Sequence, residues 1–130
     1  MYTVLVALDG TDDRALVQAA AITALPDASN GVKAVLVHVF EDNPEGASVH
    51  RLSGTMRAVE RLEEAGVTHE LRETSGDPAI ELLRLAEEIG ADAICVSGRQ
   101  RTRTGKALFG SVTQSILLEA DRPVINVAAE

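Results

Sequence analysis

Between Ser97 and Ser111 the chain carries Arg99, Arg101, Arg103 and Lys106 and no acidic residue, although its formal net charge is -8. The run follows an apolar stretch ending at Val96, opens on Ser97-Gly98 and closes on Gly110-Ser111 ahead of a helical pattern. Basic side chains between a glycine and a helix start have the chemistry of an anion site. Glycine lets backbone come close to a ligand, and the free N–H groups and dipole of a helix start favour negative charge. Each charge-assisted hydrogen bond contributes about 1.5 to 3 kcal/mol when shielded and far less when exposed. Phosphate is the first ligand this pattern fits.

Two other readings of the same residues stand beside it. Ser111-Val112-Thr113-Gln114 has the form of a capping box, in which serine and glutamine satisfy the helix's own amides. The four bases could also be a solvated face. Two familiar phosphate motifs fail on counting. For a P-loop ending at Gly105-Lys106, the first glycine would have to be Gln100 and the hydroxyl residue Ala107. After the first strand the sequence Asp9-Gly10-Thr11-Asp12-Asp13-Arg14 contains no dinucleotide fingerprint.

The elements that must position these residues follow from apolar periodicity. Thr3 to Leu8 is too short for an independent helix and ends at Asp9-Gly10, a strand meeting a turn. Thr11 then caps a helix carrying Ala15, Leu16, Ala19, Ala20 and Ile22, which stops before Pro26. A second strand runs from Ala34 to Phe40. After a polar loop from Glu41 to Ala47, an amphipathic helix carries Val49, Leu52, Met56, Val59 and Leu62 and ends at Gly66. Val67, His69 and Leu71 alternate with polar residues, as in a strand near a sheet edge. Asp77-Pro78 starts a helix whose apolar stripe reads Ile80, Leu83, Ala86 and Ile89, ending before Gly90. Ala91 to Val96 is the fourth strand, Ser111 to Ala120 a helix, and Val124 to Val127 the fifth strand.

Apolar strands alternating with helices imply parallel pairing, right-handed crossovers and helices on both faces. The expected fold is α/β, one doubly wound, Rossmann-like domain over residues 1–130. In such sheets ligands gather outside the carboxyl ends of the strands, which here are Asp9, Val39-Phe40 and Ser97-Gly98.

Composition removes several classes of function. Hydrophobic residues make up 45% and charged residues 25%, a globular balance. With 2% aromatic residues and 20 acids against 12 bases, the chain offers little for nucleic acid to stack on and repels its phosphates. No uncharged apolar stretch approaches membrane-spanning length, and Met1 leads into the first strand without a basic leader, so the expected location is cytoplasmic, with no membrane partner. Cys95, the one cysteine, sits between Ile94 and Val96 and reads as an inert core thiol. His38 reads as a core residue, and His50 and His69 lack metal-ligand spacing with it or with each other. Asp12-Asp13 suits a helix's first turn as well as it suits magnesium. No nucleophile is paired with a base, so an efficient enzyme has no positive case and no residue is assigned a catalytic role.

Several segments together resemble the universal stress protein family over essentially the whole chain. These are Val6-Ala7-Leu8-Asp9-Gly10-Thr11, Leu36-Val37-His38-Val39, Gly76-Asp77-Pro78, Ala91-Asp92-Ala93-Ile94, Gly110-Ser111-Val112-Thr113 and Ala120-Asp121-Arg122-Pro123-Val124. The resemblance implies strand order 3-2-1-4-5, a homodimer through the last strand and, in one branch, an ATP site. Mapped onto matching positions, Ala7 and Asp9 flank the adenosine and Val39 offers backbone to the adenine edge. Gly98 and Arg101 lie by the sugar and phosphates, Gly110, Ser111 and Val112 receive the phosphate chain, and Ser97 at the end of the fourth strand is counted with the binding residues. ATP-binding members usually show glycine, two residues, glycine, nine residues, then glycine with serine or threonine. Counted from Gly98, Arg101 takes the second glycine's place and Gly110 arrives one residue early.

The expectation is therefore a stress-response protein that binds an adenine nucleotide, ATP with or without magnesium, as sensor or regulator, with hydrolysis at most slow. The alternative is a dimeric interaction module of the same family that binds no nucleotide, its basic loop meeting an acidic partner or closing over an empty crevice. Dimerisation has its own argument: the last strand ends one edge with only Ala128-Ala129-Glu130 after it, and pairing with a second copy would cover its backbone groups.

Overall fold

Valine, leucine and alanine fill most of the first strand, β1 (Tyr2–Leu8), and its side chains alternate between two cores. A computed structural model describes residues 1–8, 12–40, 53–101 and 107–128, and only the backbone of residues 12–13, 53, 99–101 and 107–108. After β1 come α1 (Asp12–Thr23), a short α2 (Ala28–Gly31), β2 (Val32–Phe40), α3 (Ser53–Glu64) and β3 (Thr68–Ser75). Then follow α4 (Pro78–Ile89), β4 (Ala93–Arg101), β5 (Ala107–Phe109), α5 (Ser111–Glu119) and β6 (Val124–Ala128). The loop expected from Glu41 to Ala47, and the helix positions Val49 and Leu52, lie outside the described residues.

The five parallel strands stand in the expected order, 3-2-1-4-5 in their own sequence: β3 beside β2, β2 beside β1, β1 beside β4, and β6 in the fifth place beside β4. Val4, Val6, Leu8, Leu36 and Cys95 pack under α1 and α3, against Ala15, Ala19, Ile22, Ala58 and Leu62. Leu5, Val35, Val37, Ile94 and Val96 pack on the other face under α4 and α5, against Leu82, Leu85, Ala86 and Ile116. Leu5, Leu36 and Ile94 are wholly buried, which stabilises by about 1.5 to 3 kcal/mol per side chain.

The stripe of α4 differs from the sequence expectation. Ala79, Leu82, Leu85 and Ala86 are its buried residues, Leu83 and Ile89 lie at the margin, and Ile80 is 64% exposed. Both sets have helical period, and the placement of the sheet selects between them. The ends of α4 follow local chemistry: Asp77 accepts a hydrogen bond from the Ile80 amide at 3.1 Å, and Gly90 closes the helix at φ 64°. Arg122 then ties β6 to that closing turn, donating from Nη1 to the carbonyls of Ala86 (2.9 Å) and Ala91 (2.7 Å).

The largest difference concerns the basic segment, which the sequence reading made a loop after Val96. β4 instead continues to Arg101, and β5 folds back antiparallel on it, pairing Arg99 with Phe109 and Arg101 with Ala107. β1 pairs with β4 only from Val4↔Ala93 to Val6↔Cys95, yet stays with β2 to Leu8↔His38. Beyond that fork Arg99 pairs with Ala128 of β6 on one edge, so β5 occupies the edge that β1 has left. β4 and β5 thus form an antiparallel pair beyond the point where β1 leaves β4.

Candidate functional site

The fork opens into a crevice of about 790 Å³, within the range of small-molecule sites. Of the residues singled out in the sequence, Ala7, Val39, Ser97, Gly98, Gly110, Ser111 and Val112 line it. Asp9 lies outside the described residues, as do the side chain of Arg101 and all of Arg103 and Lys106. The crevice also takes in Arg14 and Gln18 of α1, His38 and Phe40 of β2, Pro78 and Leu82 of α4, and Phe109 and Thr113 beside α5.

Its two glycines differ in kind. A Cβ on Gly98 would lie 2.6 Å from the Cβ of buried Thr113, so α5 can seat on β4 only if residue 98 has no side chain. The expected reason for this glycine was close approach to a ligand; helix packing already requires it. A Cβ on Gly110 would meet nothing within 4 Å, and its φ of -66° suits any residue.

Gly110 is the N-cap of α5 and has no side chain to cap it, and among the described residues no other side chain bonds to the helix start. The capping box read from Ser111 and Gln114 does not form, because Ser111 is already the first helical residue and the Gln114 amide donates to the Gly110 carbonyl at 2.9 Å. The first turn holds no acid, and Ser111 and Val112 face the crevice. Helix-start amides without a protein cap, at the positive end of the dipole, suit an anionic ligand.

The opposite wall is built from strand ends. His38, half-buried, donates from Nδ1 to the Leu8 carbonyl at 3.1 Å; a carbonyl can only accept, so that nitrogen carries the proton. The Phe40 ring meets the imidazole edge-on at 4.4 Å. Beneath the fork, wholly buried Gln18 donates from Nε2 to the carbonyls of Ala7 (2.9 Å) and Cys95 (3.2 Å), bridging β1 and β4 where their own ladder stops. Sequence reading passed over Gln18; the signal was a polar residue on the helix face that carries Ala15, Ala19 and Ile22. Burial pushes the Cys95 thiol up to about 12, only partly offset by the neighbouring Gln18 amide, so at neutral pH it is no nucleophile.

The model of the universal stress protein family matches residues 1–128. This chain belongs to that family. A universal stress protein of Mycolicibacterium smegmatis is 39% identical over 77 residues, covering 58% of this chain and 59% of that protein. The stress response protein NhaX of Bacillus subtilis is 38% identical over 52 residues, 40% of this chain and 31% of its own length. The chain thus spans well under two thirds of either curated relative. Among solved structures, a universal stress protein from Archaeoglobus fulgidus superposes with a TM-score of 0.79 at 27% identity, covering 98% of both chains. A universal stress protein in complex with cAMP gives 0.75 at 25% identity, covering 98% of this chain and 97% of that one. No helix among the described residues is long and apolar enough to cross a membrane.

Proposed function

We propose that the crevice binds an adenine nucleotide, with ATP the first candidate, and that the protein acts in the cytoplasm as a nucleotide-dependent sensor or regulator of the stress response. The observation that carries this reading is the uncapped start of α5 opening into a crevice whose other wall is apolar. Ala7, Val39 and Leu82 suit a base, with the Val39 backbone at its edge, while Gly110, Ser111 and Val112 hold the phosphates and Asp9 flanks the adenosine. Gly98 and Arg101 stand by the sugar and phosphates. The relative bound to cAMP supports an adenine ligand in this fold. A micromolar complex needs about 8 kcal/mol, within reach of a buried base and several charge-assisted phosphate bonds.

The family spacing supports a different count from the one that starts at Gly98. Since Gly110 begins α5, leaving nine residues between puts the second glycine's place at Gln100 and the first glycine's place at Ser97, with no residue missing. On this count Gly98 is needed for packing, Arg101 is no replacement for a glycine, and the departures are a serine and a glutamine. Calorimetric titration of ATP into ligand-stripped protein at physiological salt tests the reading, with mass spectrometry of small molecules released from fresh protein. Micromolar binding or a retained adenine nucleotide is expected; absence of both removes it.

The second reading, a dimeric module, rests on β6. Among the described residues β6 pairs with β4 alone, all five of its residues are half-buried, and Leu118 on nearby α5 is 78% exposed. Antiparallel pairing with a second copy would cover this edge, whether or not nucleotide binds. Light scattering at micromolar concentration is expected to give the dimer mass, and a monomer mass would overturn it.

A further inference from the structure

The last strand, β6, reads Val124-Ile125-Asn126-Val127-Ala128, one polar residue in the middle of an apolar run. Asn126 is half-buried, and its Oδ1 is enclosed without a hydrogen-bond partner. Ile125 and Val127 pack on the core under α1 and α3 and Val124 on the core under α4 and α5, so strand alternation puts Asn126 on the second face. The irregularity between β4 and β6 takes three steps on β4, from Val96 to Arg99, against two on β6, from Asn126 to Ala128. The extra residue therefore belongs to β4, and β6 keeps its period of two throughout. Among the described residues nothing pairs with the other edge of β6. An asparagine with an unpaired atom, where valine would pack without that cost, needs a reason outside the single chain.

Symmetry supplies one. When two copies of a strand pair antiparallel in one continuous sheet, the two-fold axis stands perpendicular to the sheet, and each side chain keeps the face of its copy. Facing residues of an antiparallel ladder share a face as well, so the axis has to pass beside a residue that faces itself. Centred on Asn126, the pairing uses all five residues of β6, with Val124 facing Ala128 of the copy and Ile125 facing Val127. Centred on Ile125 or Val127 it uses only three and sets Asn126 against Val124 or Ala128. We propose that β6 recognises a second copy of this chain through Asn126, whose amide meets its own counterpart on the two-fold axis and fixes the register of the pair. The proposal rests on the dimeric reading and deepens it. Facing Cβ atoms stand about 4.5 to 5.5 Å apart, within reach of two amide groups. A primary amide both donates and accepts, so two identical ones complement each other, and rotation about χ2, broad for asparagine, brings the enclosed oxygen round to the partner. An apolar residue opposite leaves the amide unpaired, so Asn126 disfavours a slipped register and equally a related chain with valine at this position, as a single buried asparagine does in a coiled coil.

The test mixes wild type with isotopically labelled Asn126→Val and reads the dimers by native mass spectrometry after subunit exchange. Each chain is expected to dimerise alone, since two valines also suit a paired strand. Mixed dimers are expected to fall from the chance level of about one half to about one quarter or less, which corresponds to a preference of about tenfold for like pairs. Mixed dimers at the chance level overturn the proposal. Asn126→Asp, close to isosteric, is the second arm and stands if the valine variant folds poorly. Two carboxylates would then face each other, so at neutral pH its self-association should weaken more than about tenfold, while it still pairs with wild type, whose amide donates to a carboxylate. Self-association of Asn126→Asp as tight as that of wild type also overturns the proposal. Monomeric wild type at micromolar concentration overturns the dimeric reading and this proposal together, an outcome distinct from dimers that mix freely.

Discussion

Helices α4 and α5 pack side by side on one face of the sheet, and they begin in opposite ways. α4 satisfies its own first turn: the Asp77 side chain accepts from the Ile80 amide, Pro78 supplies the first position and removes one donor, and Glu81 adds negative charge. α5 begins at Gly110 with, among the described residues, no side-chain cap, and it has no acid in its first turn. Losing a capping side chain to alanine costs about 1 kcal/mol and to glycine only a few tenths, so the glycine start of α5 forgoes a little stability that one residue change could supply. Both helices contribute to the crevice, Pro78 from one and Ser111 and Val112 from the other. Only α5 offers its amides there, and the difference separates a helix start built for folding from one left open for an anion.

The comparison can be broken at several points. Gly98→Val would push a side chain into buried Thr113 and lever α5 off β4, at a cost of about 3 kcal/mol in urea unfolding. Gly110→Val, with open space around its Cβ but a poorer N-cap than glycine, is expected to cost no more than about 1 kcal/mol while weakening ATP binding more than tenfold. If the two variants lose stability equally, the distinction between the glycines is wrong. Asp77→Ala removes the cap that α4 has and α5 lacks, and should cost about 1 kcal/mol by the same measurement without altering nucleotide affinity.

The smallest effect concerns pH. Hydrogen bonds from Arg84 and Thr74 hold the Glu81 carboxyl below its ordinary value of 4.5. A carboxyl depressed in the folded state stabilises fully above its unfolded value, and that contribution is lost as pH falls through the folded one. Melting temperatures of wild type and Glu81→Gln should therefore differ at neutral pH and converge as pH drops below 4.5. A gap that persists in acid would show that Glu81 acts through packing.

Much of this architecture was legible in the sequence because it rests on local signals. Continuous apolar runs marked the parallel strands, Asp77-Pro78 and Gly90 marked both ends of α4, and Gly110-Ser111 marked the start of α5. The features that escaped depend on what tertiary structure brings near. Gln18 looks like a polar blemish on an apolar helix face until the Ala7 and Cys95 carbonyls are placed beside it. Arg99 and Arg101 read as charge, while their backbone extends β4 into a hairpin that no apolar pattern announces. Ser111 and Gln114 satisfy the capping-box rule, yet the helix starts one residue too early for the box to close. The reason for Gly98 was invisible without Thr113.

The central claim is that α5 leaves its first amides open for a phosphate, and Gly110→Asp tests it most directly. Aspartate there gives α5 the kind of cap that α4 has and places a carboxylate where the phosphate would sit. Calorimetry with ATP, run beside thermal unfolding of the ligand-free protein, is predicted to show micromolar binding by wild type and none by the variant, which should melt at the same temperature or higher. A variant that binds ATP as tightly as wild type would contradict the account.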